Sequence, residues 1–462
     1  MQSVRQVDVS NRIINYMADL NLRPKFHITG EKGWINDPNG LVIFNGEYHV
    51  FFQYYSQSIY WGPMHWGHVV SRDLTEWKHL PVALAPDEQD DGCFSGTAIV
   101  WQGKIWLMYT SFKENGGGEN IRQLQALASS EDGVHFVKHG IVIGEKDLPA
   151  EYSPCDFRDP MIFEENGVLY CLVAARKVDG RGRMLLYSSE DMFKWNFVCD
   201  VFGRDSGGIM IECPDYLKDL GLITYCEQFQ PAQGSKHLNI HSTFYRLGKL
   251  DLEKGKADFG ESEIIDYGFD FYAAQSFADE PVMIGWLNMW DRNTPSDKYG
   301  FAGMLTVPRR LEIKNGELWQ TPVINMRKVY EKKVGGKFSE KIKTGAVKIT
   351  AEALREFNLL LRKKGDMYTG FCLKDGEWVF DRSRSGEAIK GKETDADSLA
   401  GIRRMPFANG NETQIIVVMD EFSVEIFADG KSLSSTVYPD CDADGFELEV
   451  KAENCKLQLF EI

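Results

Sequence analysis

One unit recurs five times between residues 26 and 308, and it constrains the fold more than any other feature. In each copy a polar or acidic start leads into an apolar strand, a turn at Gly or Asn follows, and an aromatic strand returns. The first copy covers residues 37–54 and turns at Asn45-Gly46, a dipeptide typical of β-hairpins. Repeats of roughly 50–60 residues with about four short strands each predict a five-bladed β-propeller around a central channel.

The pattern changes in the C-terminal third. From residue 333 to Ile462 the strands alternate strictly between apolar and polar residues, with turns such as Asp429-Gly430, which predicts a β-sandwich. A chain of 462 residues also exceeds the roughly 250–300 residues that one core organises. We therefore predict an all-β protein with four parts: an N-terminal helical segment (1–25), a five-bladed β-propeller (26–308), a connector with a short helix at 323–330 (309–332), and a C-terminal β-sandwich (333–462).

Composition excludes several classes of function. The net charge of −16 argues against nucleic acid and against anionic membrane surfaces as partners. The nine cysteines form no CxxC pair, which indicates reduced thiols and neither a disulfide framework nor a zinc site. The first twenty residues lack the apolar core of a signal peptide, and no apolar run reaches transmembrane length. We expect a cytoplasmic protein whose oligomeric state the sequence leaves open.

Three carboxylates stand at the start of repeat units. Asp37 and Asp159 are each followed directly by proline, and Glu212 is followed by Cys213-Pro214. Because the first strand of every blade lines the channel of a propeller, these three side chains are expected to meet at one end of it. Each carboxylate alone could equally cap a turn. A calcium cage is the competing use, but it needs 6–8 oxygen ligands and the sequence has no D-x-D-x-D loop.

Convergent carboxylates suit glycoside hydrolysis, which needs one carboxylate as nucleophile and one carboxylic acid to protonate the leaving oxygen. Apolar flanking residues and the charge of Asp37 should raise the pKa of Glu212 and make it the acid. Asp37 should be the ionised nucleophile, because Asn36 can donate to it. Asp159 should be kept ionised by its neighbour Arg158 and should bind sugar hydroxyls.

A sugar site also needs flat apolar faces and hydroxyl-binding side chains. Trp61 lies in a loop of aromatic and glycine residues and could form a platform for a sugar ring. Phe94-Ser95 precedes the inner strand of the second blade, so both residues should face the channel.

At these residues the chain resembles glycoside hydrolase family 32, the β-fructofuranosidases. Residues 34–40 are similar to the family motif W-x-N-D-P-N-G, residues 158–160 to R-D-P, and residues 212–213 to E-C. The resemblance implies Asp37 as nucleophile, Asp159 as transition-state stabiliser and Glu212 as acid/base. It implies no cofactor and no metal, and the family's propeller and sandwich agree with the repeat count.

The resemblance also implies substrate contacts at Asn36, Gln53, Trp61, Phe94, Ser95, Arg158, Cys213, Tyr272 and Phe301. Phe301 stands where the family often has tryptophan. The stretch Gln230-Pro231-Ala232-Gln233-Gly234 looks like that of bacterial sucrases and sucrose-6-phosphate hydrolases.

The expected function is a retaining hydrolase that releases terminal β-D-fructofuranosyl units through a covalent intermediate. Sucrose, sucrose 6-phosphate and short fructo-oligosaccharides are the expected small-molecule substrates. The alternatives are an exo-acting fructan hydrolase of inulin or levan, a fructosyltransferase, and, from another class, a carbohydrate-binding propeller without catalysis.

Overall fold

The computed structural model describes residues 22–114, 121–203, 210–229, 231–232, 234, 237–252 and 254–462. Most of the expected N-terminal helical segment, together with Gln230 and Gln233, lies outside the described residues. The described chain forms five small sheets followed by two six-stranded sheets, which confirms the all-β propeller and sandwich. None of its helices is long and apolar enough to cross a membrane.

The five small sheets are the blades, and each is built mainly from antiparallel strand pairs. In the turn of the first blade, Asn45 and Gly46 both have positive φ (51° and 78°), as the sequence pattern predicts for a tight hairpin. Blade 1 contains β1 (Gly33–Phe44), β2 (Glu47–Tyr55), β3 (His65–Ser71) and β4 (Lys78–Leu84). Blade 2 contains β5 (Gly92–Trp101), β6 (Lys104–Glu114), β7 (Ile121–Ser130) and β8 (Val137–Ile143). Blade 3 contains β9 (Tyr152–Glu165), β10 (Val168–Lys177), β11 (Gly182–Ser189) and β12 (Asn196–Gly203).

The last two blades complete the propeller. Blade 4 contains β13 (Ile211–Leu217), β14 (Leu222–Gln228), β15 (His241–Asp251), β16 (Lys256–Phe259) and β17 (Glu263–Ile264). Blade 5 contains β18 (Tyr272–Phe277), β19 (Glu280–Trp286), β21 (Arg309–Lys314) and β22 (Glu317–Pro322), while β20 (Phe301–Ala302) pairs in parallel with β1. The first strands β1, β5, β9, β13 and β18 contact one another in a closed ring, and this ring surrounds the channel.

The two larger sheets form the sandwich over an apolar core that includes Trp378 and Phe446. One sheet has the order β23 (Arg327–Lys333), β34 (Asn454–Glu461), β25 (Gly345–Glu352), β30 (Glu412–Asp420), β31 (Ser423–Ala428), β32 (Lys431–Thr436). The other has the order β24 (Gly336–Lys341), β33 (Gly445–Lys451), β26 (Glu356–Lys364), β27 (Met367–Lys374), β28 (Glu377–Arg384), β29 (Ile402–Pro406). The helices within the described residues are short: Glu145–Asp147, Lys218–Leu220 and Pro295–Tyr299 are 3-10 helices, and Ala396–Leu399 is an α-helix.

The segment 309–332, predicted as a connector, contains more regular structure than its sequence suggested. β21 pairs with β19, β22 pairs with β21, and the two strands complete blade 5. The short helix predicted at 323–330 is wrong, because β23 begins at Arg327 and pairs with β34. Its residues are mostly charged, with Val329 and Tyr330 between them, and this composition fits a strand at a sheet edge.

Buried charged residues join the propeller to the sandwich. Arg309 of β21 donates to Glu425 of β31 and to Asp266, and all three side chains are at most 1% exposed. Buried ion pairs require close geometry to offset desolvation, so the two units are held in one defined orientation.

Candidate active site

Every inner strand is irregular at the same level of the channel. The pairing registers shift between Ile35 and Pro38 in β1, between Phe94 and Gly96 in β5, and between Glu212 and Asp215 in β13. Shifts also occur opposite Arg158–Met161 in β9 and between Tyr272 and Gln275 in β18. A β-bulge turns a side chain out of the regular alternation. The three predicted acids and Ser95 therefore point into the channel from four adjacent bulges.

Proline and positive φ explain why the bulges form there. Pro38, Pro160 and Pro214 follow or nearly follow the acids, and proline donates no hydrogen bond to a sheet ladder. Asp159 and Cys213 have φ of 61° and 47°, in the left-handed region that non-glycine residues seldom adopt. Such backbone strain is maintained by the surrounding structure and is common at functional sites.

Asp37 is buried and has a donor on each carboxylate oxygen. Asn36 Nδ2 donates to Oδ1 over 3.0 Å, and Ser95 Oγ donates to Oδ2 over 2.7 Å. The amide of Asn36 is itself oriented by Trp34, whose Nε1 donates to its Oδ1 over 2.8 Å. The nucleophile candidate is thus fixed from blade 1 and blade 2 together.

Glu212 is held on both oxygens by three blades. Arg158 Nε and Nη2 donate to Oε1 over 3.0 and 2.7 Å, and Gln228 Nε2 donates to the same oxygen over 2.8 Å. The hydroxyl of Tyr272 makes a short hydrogen bond to Oε2. The sequence did not identify Gln228 as a site residue, because it reaches Glu212 only through the pairing of β13 with β14.

Asp159 is linked to the strand that carries Glu212. Its Oδ2 accepts from the backbone N–H of Cys213 over 3.0 Å, and the Cys213 thiol lies 3.6 Å from the same atom. That thiol also lies 3.9 Å from Asp37 Oδ2, so it sits between the two aspartates. Thr110 Oγ1, which the sequence did not single out, accepts from the Asp159 N–H over 2.9 Å. The structure therefore brings the three predicted acids together.

The pKa shifts in the structure differ from the predicted ones for Glu212 and Asp159. Burial and, to a smaller extent, the charge of Glu212 raise the pKa of Asp37 to about 6, although the hydrogen bonds from Asn36 and Ser95 lower it. Burial alone would raise the pKa of Glu212, but the Arg158 guanidinium and the Tyr272 hydroxyl outweigh it and leave that pKa below its usual value. The expected rise in the Glu212 pKa is thus wrong, because Arg158 bonds to Glu212.

The expectation that Arg158 keeps Asp159 ionised is also wrong. Burial raises the pKa of Asp159 more than the Arg158 charge lowers it, and the charges of Glu212 and Asp37 add to the rise. The guanidinium of Arg158 donates its hydrogen bonds to Glu212 and Asp156.

Aromatic side chains form one wall beside the acids. Phe94 stacks on Phe112 with ring centroids 4.4 Å apart, and Trp61 meets Phe94 edge to face at 5.8 Å. Trp61 is 47% exposed, as a platform at the rim requires. Gln53 is buried, and its Nε2 donates to the Cys93 carbonyl.

Phe301 is the predicted contact that the structure places elsewhere. Its side chain is fully buried in a cluster with Leu287, Met304, Phe422 and Tyr438 at the boundary with the sandwich. Packing in this cluster is sufficient to explain why an aromatic residue stands at position 301, without any contact to substrate.

Gln275 is a further channel residue that the sequence did not reveal. Its Oε1 accepts from the Gly40 N–H over 3.2 Å, and its Nε2 donates to the Gly96 carbonyl over 3.1 Å. One buried side chain of blade 5 thus ties together the strands that carry Asp37 and Ser95. Within the described residues no three His, Cys, Asp or Glu side chains are grouped so as to hold a metal ion.

Comparison with known proteins agrees with this geometry. The family model "Glycosyl hydrolases family 32 N-terminal domain" matches residues 27–322, and "Glycosyl hydrolases family 32 C terminal" matches residues 320–462. The sucrose-6-phosphate hydrolase of Zymomonas mobilis is 35% identical, with 91% of this chain and 88% of that protein covered. The raffinose invertase of Escherichia coli is 34% identical, with 91% of this chain and 90% of that protein covered.

Solved structures are similar over the whole length. A sucrose-6-phosphate hydrolase from Lactobacillus gasseri has a TM-score of 0.87 at 25% identity, covering 100% of this chain and 98% of that one. The Bombyx mori GH32 β-fructofuranosidase has a TM-score of 0.81 at 27% identity, covering 98% of this chain and 97% of that one. This chain belongs to glycoside hydrolase family 32.

Proposed function

We propose that this protein is a retaining β-fructofuranosidase that releases the fructosyl unit of sucrose or sucrose 6-phosphate. The observation that carries the proposal is the meeting of Asp37, Asp159 and Glu212 on bulges of three blades at one level of the channel. The names of the relatives, sucrose-6-phosphate hydrolase and raffinose invertase, support this substrate class. A cytoplasmic location and the lack of nucleic-acid or membrane partners stay predictions.

In the first step Asp37 attacks the anomeric carbon of the fructosyl unit. A bond forms between a carboxylate oxygen and that carbon, the glycosidic C–O bond breaks, and Glu212 gives its proton to the leaving oxygen. The donors Asn36 and Ser95 hold the Asp37 carboxylate in one orientation, which lowers the entropy cost of the attack. With a pKa of about 6, Asp37 is mostly ionised at neutral pH.

In the second step water hydrolyses the covalent ester. Glu212, now ionised, takes a proton from the water, whose oxygen bonds to the anomeric carbon as Asp37 leaves. Fructose is released with its original anomeric configuration, because two inversions restore it.

Asp159 binds sugar hydroxyls in this proposal and stabilises the charge that develops on the ring. Its Oδ2 is occupied by the Cys213 N–H, which leaves Oδ1 for the substrate. The remaining sugar contacts that we propose come from the channel wall and rim: Asn36, Gln53, Trp61, Phe94, Ser95, Arg158, Cys213 and Tyr272. Phe301 takes no part, since it is buried against the sandwich.

The test is hydrolysis of sucrose and of sucrose 6-phosphate by the purified protein, with early products followed by proton NMR. The proposal expects β-fructofuranose to appear first. Asp37→Asn and Glu212→Gln should each lower kcat by about 10³-fold or more. Asp132→Asn, at an exposed turn of blade 2, is the matched control and should keep wild-type activity. Near-normal hydrolysis by either active-site variant, or initial release of the α-anomer, would contradict the proposal.

A further inference from the structure

We propose that the β-sandwich takes part in catalysis by positioning Glu212, through its edge strand β32 and the propeller segment 266–270. This inference rests on the proposed function, because it takes Glu212 to be the acid/base.

The segment before β18 pairs with the edge of the sandwich sheet through an isolated parallel bridge between Asp266 and Ser432 of β32. Tyr267 and Asp270 donate their backbone N–H groups to the carbonyls of Ser432 and Ser434, over 2.9 and 3.1 Å. The approach is so close that a Cβ on Gly268 would lie 2.0 Å from the Ser434 carbonyl oxygen, which restricts that position to glycine. The bridge and the two backbone hydrogen bonds fix the position of this segment relative to β32.

Asp270 secures the end of this segment to the sandwich. Its Oδ2 accepts from the Thr436 N–H, the Thr436 Oγ1 and Arg382 Nη1 over 2.8, 2.9 and 3.0 Å. Its Oδ1 accepts from Arg292 Nη1 over 2.9 Å. Burial would raise the pKa of Asp270, but the two guanidinium groups outweigh it and keep the carboxylate ionised. Thr436 and Arg382 both belong to the sandwich, so three of the four donors come from there.

The residue two positions after Asp270 is Tyr272, which bonds directly to Glu212. Its hydroxyl donates to Oε2, whereas Arg158 and Gln228 both donate to Oε1. Burial and the charge of Glu212 raise the pKa of Tyr272 well above its ordinary value, so the hydroxyl remains a proton donor. One oxygen of Glu212 is therefore held from within the propeller, and the other from the segment that the sandwich anchors.

Geometry at this point matters because proton transfer to the glycosidic oxygen happens over a hydrogen-bond distance. A shift of about 1 Å in a catalytic group can cost about 100-fold in rate. Loosening Asp270 should therefore impair the step that needs the Glu212 proton, while Asp37 stays in place on blade 1.

The experiment compares two substrates in two variants of the full-length protein. Thr436→Val keeps the side-chain volume and the backbone donor but removes the hydroxyl bond, and Asp270→Asn keeps the shape but removes the charge. Thr413→Val is the matched control, because its buried hydroxyl on β30 has no hydrogen-bond partner within the described parts of the chain. The substrates are sucrose, whose leaving group needs protonation, and a nitrophenyl β-D-fructofuranoside, whose leaving group does not.

We expect kcat/KM for sucrose to fall about 10-fold in Thr436→Val and about 100-fold in Asp270→Asn. The nitrophenyl substrate should change less than about twofold in both variants, since kcat/KM reports only the first step. Thr413→Val should match the wild type on both substrates.

Equal losses on the two substrates would overturn the inference, because they would indicate general damage to the fold. Unchanged sucrose hydrolysis in Thr436→Val would overturn it too, and this variant decides alone if Asp270→Asn does not fold. Failure of the proposed function would look different: the wild type itself would release no fructose from either sucrose or its 6-phosphate.

Discussion

His27 is a buried cation at the boundary between propeller and sandwich, and it predicts that the protein loses stability in mild alkali. Its Nδ1 lies 2.9 Å from Asp420 Oδ2, and its Nε2 lies 2.8 Å from Glu425 Oε1. All three side chains are 0% exposed. A histidine with a carboxylate on each ring nitrogen is doubly donating, which is the protonated form.

The size of the effect follows from the pKa of His27. Burial lowers it, but the hydrogen bonds and charges of Asp420 and Glu425 outweigh burial and raise it from 6.5 to about 9. Each pKa unit corresponds to about 1.4 kcal/mol, so the group contributes about 3 kcal/mol to folding. Because the folded pKa lies above the unfolded one, this contribution is complete below pH 6.5. It is lost as the pH rises through about 9.

Urea unfolding at pH 6, 7.5 and 9.5 measures the loss. Between the first and last pH, the wild type should lose about 3 kcal/mol more stability than His27→Gln. The exposed His135→Gln is the matched control and should follow the wild type. The buried pair His49 and His68 acts in the opposite direction, because burial lowers both pKa values and stability therefore rises as their unfolded forms lose protons near pH 6.5. The wild type and His27→Gln share this effect, so the difference between them isolates His27. Parallel pH profiles for the wild type and His27→Gln would refute the reasoning.

Two further predictions concern the channel and the boundary. The kcat/KM for sucrose should fall as the pH drops below about 6, because Asp37 becomes protonated there. Ser95→Ala should shift this acidic limb of the pH–rate profile to higher pH, because the Asp37 carboxylate loses a hydrogen-bond donor. An acidic limb at the same pH in wild type and variant would contradict the assignment. Phe301→Ala should lower the free energy of unfolding by about 3–5 kcal/mol and leave the KM for sucrose unchanged, as thermal denaturation and initial rates would show. A large rise in KM with little loss of stability would mean that Phe301 contacts substrate after all.

The sequence predicted the blades and the acids because both depend on local signals. Asn45-Gly46 forms the predicted hairpin turn, and proline after Asp37 and Asp159 marks a point where a strand cannot remain regular. Such signals need only a few neighbouring residues to act. They were enough to locate the start of each inner strand.

The contacts between blades could not be read in the same way. Arg158 is adjacent to Asp159 in the chain, yet its guanidinium donates to Glu212 on the next blade, a contact that exists only because β9 and β13 are neighbours in the ring. The expected charge states failed for that reason. Gln275 likewise acquires its role only when Gly40 and Gly96 are brought around the channel.

The contact between Arg158 and Glu212 also determines which carboxyl groups of the site hold protons. Burial raises the pKa values of Asp37 and Asp159, whereas Arg158 makes the largest contribution that lowers the pKa of Glu212. Because the three carboxyl groups interact, a proton belongs to the set and moves to whichever member is least stabilised as an anion. A leaving sugar that takes hydrogen bonds from Arg158 removes that stabilisation from Glu212. We propose that Glu212 then takes the proton of Asp159 as the glycosidic oxygen comes beside it, which leaves Asp159 as the anion that the developing positive charge on the ring requires.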